Sequence, residues 1–90
     1  MLHDAAKRDG KLAGSLKEGD KVKLNIKAMC MHPNWSRLTN KYKEWVFANA
    51  GETFTVEYDE KHLVKPVLVC LAEDRTEPKW LFYVGDLKKV

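Results

Sequence analysis

The sequence predicts a small, mainly β domain, an antiparallel sheet of about five short strands wrapped as a barrel or sandwich around one core. Three observations carry this reading. Two segments, 21–27 and 53–58, alternate apolar and polar residues, with Val22, Leu24 and Ile26 and then Phe54, Val56 and Tyr58 on one side, which is the period of a half-buried strand. Turn residues recur between the apolar runs at the close spacing of all-β folds. A chain of 90 residues has room for one domain with one small core.

Taken in order, residues 1–14 are small, charged or glycine with no sustained period, and they are expected to form a flexible arm ahead of a domain spanning 15–90. Leu2, Ala5, Ala6 and Leu12 offer at most a short helix, and isolated helices of that length are marginal in water. Gly19-Asp20 makes a turn into the first strand, whose outer face carries Lys21, Lys23, Asn25 and Lys27. Met29-Cys30-Met31 is expected to prolong that strand, and His32-Pro33-Asn34 to end it, because a residue before proline is driven to extended geometry and Asn favours turns.

The stretch 28–51 is long for a connection in so small a domain, which points to binding or to structure of its own. Thr39 or Asn40 can cap a short helix over 40–48, with Tyr42, Trp45 and Val46 at helical spacing. A strand through the same residues is equally consistent with its aromatic content. Strand signals return at 53–58, and 59–62 is a polar reversal. Pro66 opens an apolar run, 67–72, as expected for a strand covered on both faces. After the turn at 73–78, Trp80, Phe82 and Val84 face the core while Leu81 and Tyr83 face outward. Gly85-Asp86 then breaks the strand, and a one-turn helix near 85–88 is expected to tuck Leu87 and Val90 beneath it.

The order Lys-Glu-Gly-Asp-Lys-Val-Lys-Leu at 17–24, Gly-Glu-Thr-Phe-Thr-Val at 51–56, and Trp80-x-Phe82 followed by Asp86-Leu87-x-x-Val90 resembles an SH3-like small barrel of bacterial or phage type. The resemblance covers about 17–90. It implies a five-strand barrel with a long structured first loop and a one-turn helix before the end. Such barrels bind peptides, contact RNA or serve structure alone, so the likeness carries a fold and not a function. The acidic first loop and Pro-Ser-Asn-Tyr ending of the proline-rich-peptide binders are absent, with Tyr83-Val-Gly-Asp-Leu in place of that ending, and no peptide-binding residues are carried over.

Apolar content of 44% with 32% charged residues is that of a soluble globule, and no apolar run approaches the roughly 18 residues of a membrane-spanning helix. The first residues lack the apolar segment of a secretory signal. The expectation is a cytoplasmic protein in which Cys30 and Cys70 are thiols. The net charge of +3 arises entirely in residues 1–27, where seven Lys/Arg face four Asp/Glu. That front can favour a polyanion, although the balance falls short of one that makes nucleic acid the default partner.

Chemistry-bearing constellations are few. Cys30 and His32 would share a face of a strand, but nothing in the spacing supplies an orienting group or an oxyanion site, so no enzyme is expected. Cys30, His32, His62 and Cys70 lack paired zinc-ligand spacing. No metal and no cofactor are expected. Binding is better supported. Trp35, Arg37, Lys41, Tyr42, Lys43 and Trp45 interleave aromatic and basic groups, of the types that anchor protein interfaces. The first expectation is therefore a non-catalytic binding or accessory module, engaging a protein partner through the 32–47 loop and an aromatic rim that includes Trp35, Trp80 and Tyr83. The alternative is RNA or single-stranded DNA, bound through Lys21, Lys23 and Lys27 with the 35–45 segment stacking bases. A bland role as solvated face or barrel lid is open to the same residues. A monomer is expected, with exposed strand edges leaving a dimer open.

Overall fold

The computed structural model describes residues 10–61 and 64–90. Five strands form one antiparallel sheet: β1 Lys21–Leu24, β2 Thr53–Glu57, β3 Leu68–Leu71, β4 Phe82–Tyr83 and β5 Leu87–Lys89, in the order β4-β3-β2-β1-β5. Two α-helices, α1 Ile26–Met31 and α2 Asn40–Ala48, lie between β1 and β2 with a single 3-10 turn, Trp35–Arg37, between them. A second 3-10 turn, Val84–Asp86, joins β4 to β5.

The strand faces follow the alternation in the sequence. Val22 and Leu24, Phe54 and Val56, Val69 and Leu71, and Phe82 with Val84 are all buried. Register fixes this, since Val22 stands opposite Phe54 and Phe82 opposite Val69, and a slip of one residue would turn each set outward. The apolar run on β3 is covered on both sides, with Cys70 buried on the face opposite Val69 and Leu71.

Helix, not strand, prevails at 40–48. Thr39 Oγ1 accepts from the Tyr42 amide at 3.3 Å, satisfying a first-turn donor. Tyr42 and Val46, one turn apart, are buried, and the Trp45 ring sits 5.6 Å from both Phe54 and Phe82. The helix lids the sheet's inner face with the side chains that a strand would have divided between two faces.

Four expectations are corrected. The first strand ends at Leu24, and 29–31 are helical: Asn25 Oδ1 accepts from the Ala28 amide at 3.2 Å, so the Asn counted as a strand residue is a helix cap. The sheet is open rather than closed into a barrel by strand pairing, because β4 and β5 are its two edges. The one-turn helix expected near 85–88 spans Val84–Asp86, starting and ending earlier, and Leu87 begins a strand instead, buried opposite Leu24. Val90 is 72% exposed and tucks under nothing.

Of the arm, residues 1–9 lie outside the described residues, while 10–12 form a helical turn and Leu12 packs against the core. The Gly14 amide donates to the Pro66 carbonyl at 3.0 Å. Gly14 has φ +75, and a Cβ there would meet the Lys65 backbone at 3.0 Å, so both conformation and space call for glycine.

Candidate binding pocket

The long connection between β1 and β2 builds one wall of a pocket and the closing strand region builds the other. α1 is tied down at both ends. The Asn25 amide donates to the Asp86 carbonyl at 2.9 Å, joining the helix start to the 3-10 turn before β5, and Met29 is buried beneath. At its C-terminus the chain turns through His32, whose ring stacks on Tyr83 with centroids 4.7 Å apart and planes within 15°. His32 Nδ1 is placed to accept from the Asn34 amide at 3.1 Å, which aims the chain into the Trp35 turn.

Between these walls is a cavity of about 280 Å³ lined by His32, Trp35, Tyr42, Trp80, Tyr83 and Asp86, with Arg37, Leu38 and Leu81 at the same opening. Tyr42 and Trp80 meet edge to face at 5.2 Å, and Trp35 meets Phe47 in the same manner at 5.8 Å. Lys43 Nζ stands 5.5 Å from the Trp35 ring centroid, within cation–π range. Asp86 is only 5% exposed. Burial raises the Tyr42 hydroxyl well above the usual tyrosine range, with the nearby Asp86 carboxylate adding to it, so Tyr42 stays a neutral donor in water.

Of the residues singled out in the sequence, Trp35, Arg37 and Tyr83 line this pocket, and Lys43 flanks it through the Trp35 ring. Trp35 is half-buried against the core rather than free in a loop. Lys41 is exposed on α2, outside the lining. The lysine stripe divides. Lys21 and Lys23 share the outer face of β1, whereas Lys27 belongs to α1. Lys23 stands directly opposite Lys88 of β5. Lys21 donates to Thr55 Oγ1, and the same hydroxyl donates to Glu73 at 2.7 Å. Tyr42 and Trp80, named in the sequence both as binding candidates and as core, also line the pocket, and His32 and Asp86 join them. His32 read as a turn residue, and no spacing connected Asp86 to Tyr42.

A second, more open groove of about 710 Å³ is lined by Glu18, Glu57, Asp59, Glu60 and Glu77 together with Cys70. Burial pushes the Cys70 thiol up, and the neighbouring Asp59 and Glu57 carboxylates push it further, the opposite of thiolate activation. Cys30 is exposed on α1, and residues two apart on a helix do not share a face, so the strand geometry that would have paired it with His32 does not exist. His62 lies outside the described residues. Among the described residues no group of three His, Cys, Asp or Glu side chains could hold a metal ion, and no helix is long and apolar enough to cross a membrane.

Neither protein-family models, nor curated proteins, nor solved structures match this chain.

Proposed function

We propose that this protein is a non-catalytic binding or accessory module of the SH3-like small-barrel type, which engages a protein partner through the aromatic pocket between the 32–47 segment and the 80–86 strand-and-turn. The observation that carries the reading is the pocket itself: four aromatic side chains from three segments converge on one opening, with Arg37 at its edge. Aromatic and arginine side chains in a concave, mostly apolar setting are the usual anchors of protein interfaces. The five strands and the one-turn helix before the last of them support the SH3-like reading, while strand pairing leaves the sheet open. Free Cys30 and Cys70 suit a reducing compartment, so the cytoplasm is the proposed setting.

The test is comparative capture from native lysate with wild type, Trp35→Ala and Lys23→Glu. Loss of a captured protein with Trp35→Ala alone supports the reading, and a captured partner indifferent to Trp35→Ala refutes it.

A second reading has its own observation. Lys23 and Lys88 are cross-strand neighbours of like charge, an arrangement that costs stability and that a polyanion would relieve. Fluorescence anisotropy with single- and double-stranded oligonucleotides at low salt decides it. Binding that weakens steeply with salt supports a nucleic-acid face, and no binding at low salt ends it.

A further inference from the structure

Resting on the pocket reading above, we infer that the partner segment is acidic. An apolar side chain enters between the aromatic walls, and the Asp or Glu side chains beside it meet Arg37 and Lys43 at the opening. The wall built by the β1–β2 connection has one sign of charge, since residues 26–43 contain Lys27, Arg37, Lys41 and Lys43 and no Asp or Glu. Arg37 is exposed on the lining, and Lys43 Nζ stands 5.5 Å from the centre of the Trp35 ring at the same opening. Among the described residues neither cation has a carboxylate at ion-pair distance. Both charges are available to a partner.

The interior takes the apolar part. Met29, Leu38 and Leu81 complete the aromatic lining, and about 280 Å³ is small beside the roughly 300–1,000 Å³ of small-molecule sites. That suits one large side chain and not a run of stacked bases, so the surface favours a protein over a single-stranded nucleic acid. Asp86, the one carboxylate among the described lining residues, is 5% exposed, and what comes next to it is the inserted apolar side chain, not the partner's carboxylates. Glu44 is exposed on α2 two residues from Tyr42, a spacing that sets it off the Tyr42 face. The second groove, lined by Glu18, Glu57, Asp59, Glu60 and Glu77, has the opposite sign. Like charges suppress wrong pairings, so an acidic segment is admitted at the aromatic pocket and turned away from the acidic groove.

The probes are three tripeptides blocked at both ends, Glu-Phe-Glu, Gln-Phe-Gln and Lys-Phe-Lys, each titrated into the full chain at one pH and followed by the indole N–H signals in two-dimensional NMR. Trp35 and Trp80 line the pocket and should shift, while Trp45, outside the lining, serves as the internal reference. The acidic peptide is expected to bind about fivefold tighter than the neutral one, as two exposed ion pairs allow, and the basic peptide more weakly than either. Rising salt should close the gap. The double substitution Arg37→Gln with Lys43→Gln should bring Glu-Phe-Glu down to the affinity of Gln-Phe-Gln, and a preference that survives it overturns the role given to these two cations. Equal affinity of the acidic and neutral peptides, or tightest binding of the basic one, overturns the inference while leaving an apolar protein-binding pocket in place. Failure of all three to move Trp35 and Trp80 also overturns it, and the capture assay with Trp35→Ala then judges the pocket independently. An oligothymidylate that moves both signals where no peptide does assigns the pocket to nucleic acid instead. Should the double variant fail to fold, the wild-type ratio and its salt dependence still decide.

Discussion

Replacing Phe82 by alanine should come close to unfolding the domain, and replacing its neighbour Tyr83 should not. Phe82 is wholly inaccessible; it pairs with Val69 on β3 and its ring lies 5.6 Å from both Tyr42 and Trp45. It thus joins the sheet to α2. Truncating such a residue removes the transfer energy of the ring and leaves a cavity, together about 3–5 kcal/mol. Small domains have about 5–15 kcal/mol in total. Tyr83 is half-buried, and its main partner is the stacked His32 ring, so its loss should cost about 1 kcal/mol. Urea denaturation followed by tryptophan fluorescence reads both. With a slope of about 1 kcal/mol per molar for a domain of this size, Phe82→Ala lowers the midpoint by about 3–5 M and Tyr83→Ala by about 1 M. Equal or reversed midpoints would mean that the facing of β4 is wrong, and with it the wall of the pocket.

The turn at 73–80 depends on one buried carboxylate: Asp74 Oδ1 accepts from the Thr76 amide and hydroxyl at 2.9 and 2.6 Å, and Oδ2 accepts from the Trp80 amide at 2.9 Å. Asp74→Ala should cost about 2–3 kcal/mol by stranding those donors, measured as a drop in the thermal midpoint; an unchanged midpoint refutes it. Acid should destabilise the fold. The Lys17 amide donated to Asp20 holds that carboxyl below its ordinary 3.8, and although burial pushes Glu73 up, the Thr55 amide and hydroxyl bring it below its ordinary 4.5. Both bind protons more weakly folded than unfolded, so their contribution is complete above about pH 5 and is lost as pH falls through the folded values. Melts from pH 6 to pH 3 should show Glu73→Gln falling less steeply than wild type; identical slopes would remove Glu73 from the account. Iodoacetamide on the native protein at pH 8 should modify Cys30 and spare Cys70, which is buried with its thiol raised; equal labelling rates by mass spectrometry would contradict that burial.

The parts of the fold legible in the sequence are those governed by the period-2 alternation, because a half-buried strand constrains every second residue. The inward faces of 21–24, 53–57 and 82–84 follow from that alone. The 40–48 stretch was ambiguous since Tyr42, Trp45, Val46 and Phe47 suit either state, and the choice lies in a tertiary fact, that Trp45 finds Phe54 and Phe82 only from a helix. Asn25 misled because Asn is neutral toward a strand's polar face and strong as a cap, and only the chain's departure at Leu24 decides between them. The pocket was half legible: Trp35, Arg37, Tyr42, Trp80 and Tyr83 drew attention by type. That they converge with Asp86 depends on how α2 packs on the sheet, and one sequence carries no local sign of that meeting.

The place of β1 between β2 and the edge strand β5 bears on the order in which this domain can form. Its two neighbours are β2, about thirty residues downstream, and β5, at the far end of the described chain. Pairing Val22 with Lys89 closes nearly the longest loop available, and such distant contacts are slow to form because the entropy of closure precedes any gain. The β2–β3 and β3–β4 pairings are more local and can assemble first. Until Leu87–Lys89 arrives, the strand carrying Val22 and Leu24 has one edge without a partner, an exposure that a nascent or truncated chain would share, and the last strand to dock is also the one next to the turn that supplies Asp86 to the pocket. Docking of β5 therefore completes the sheet beside the turn from which Asp86 lines the pocket.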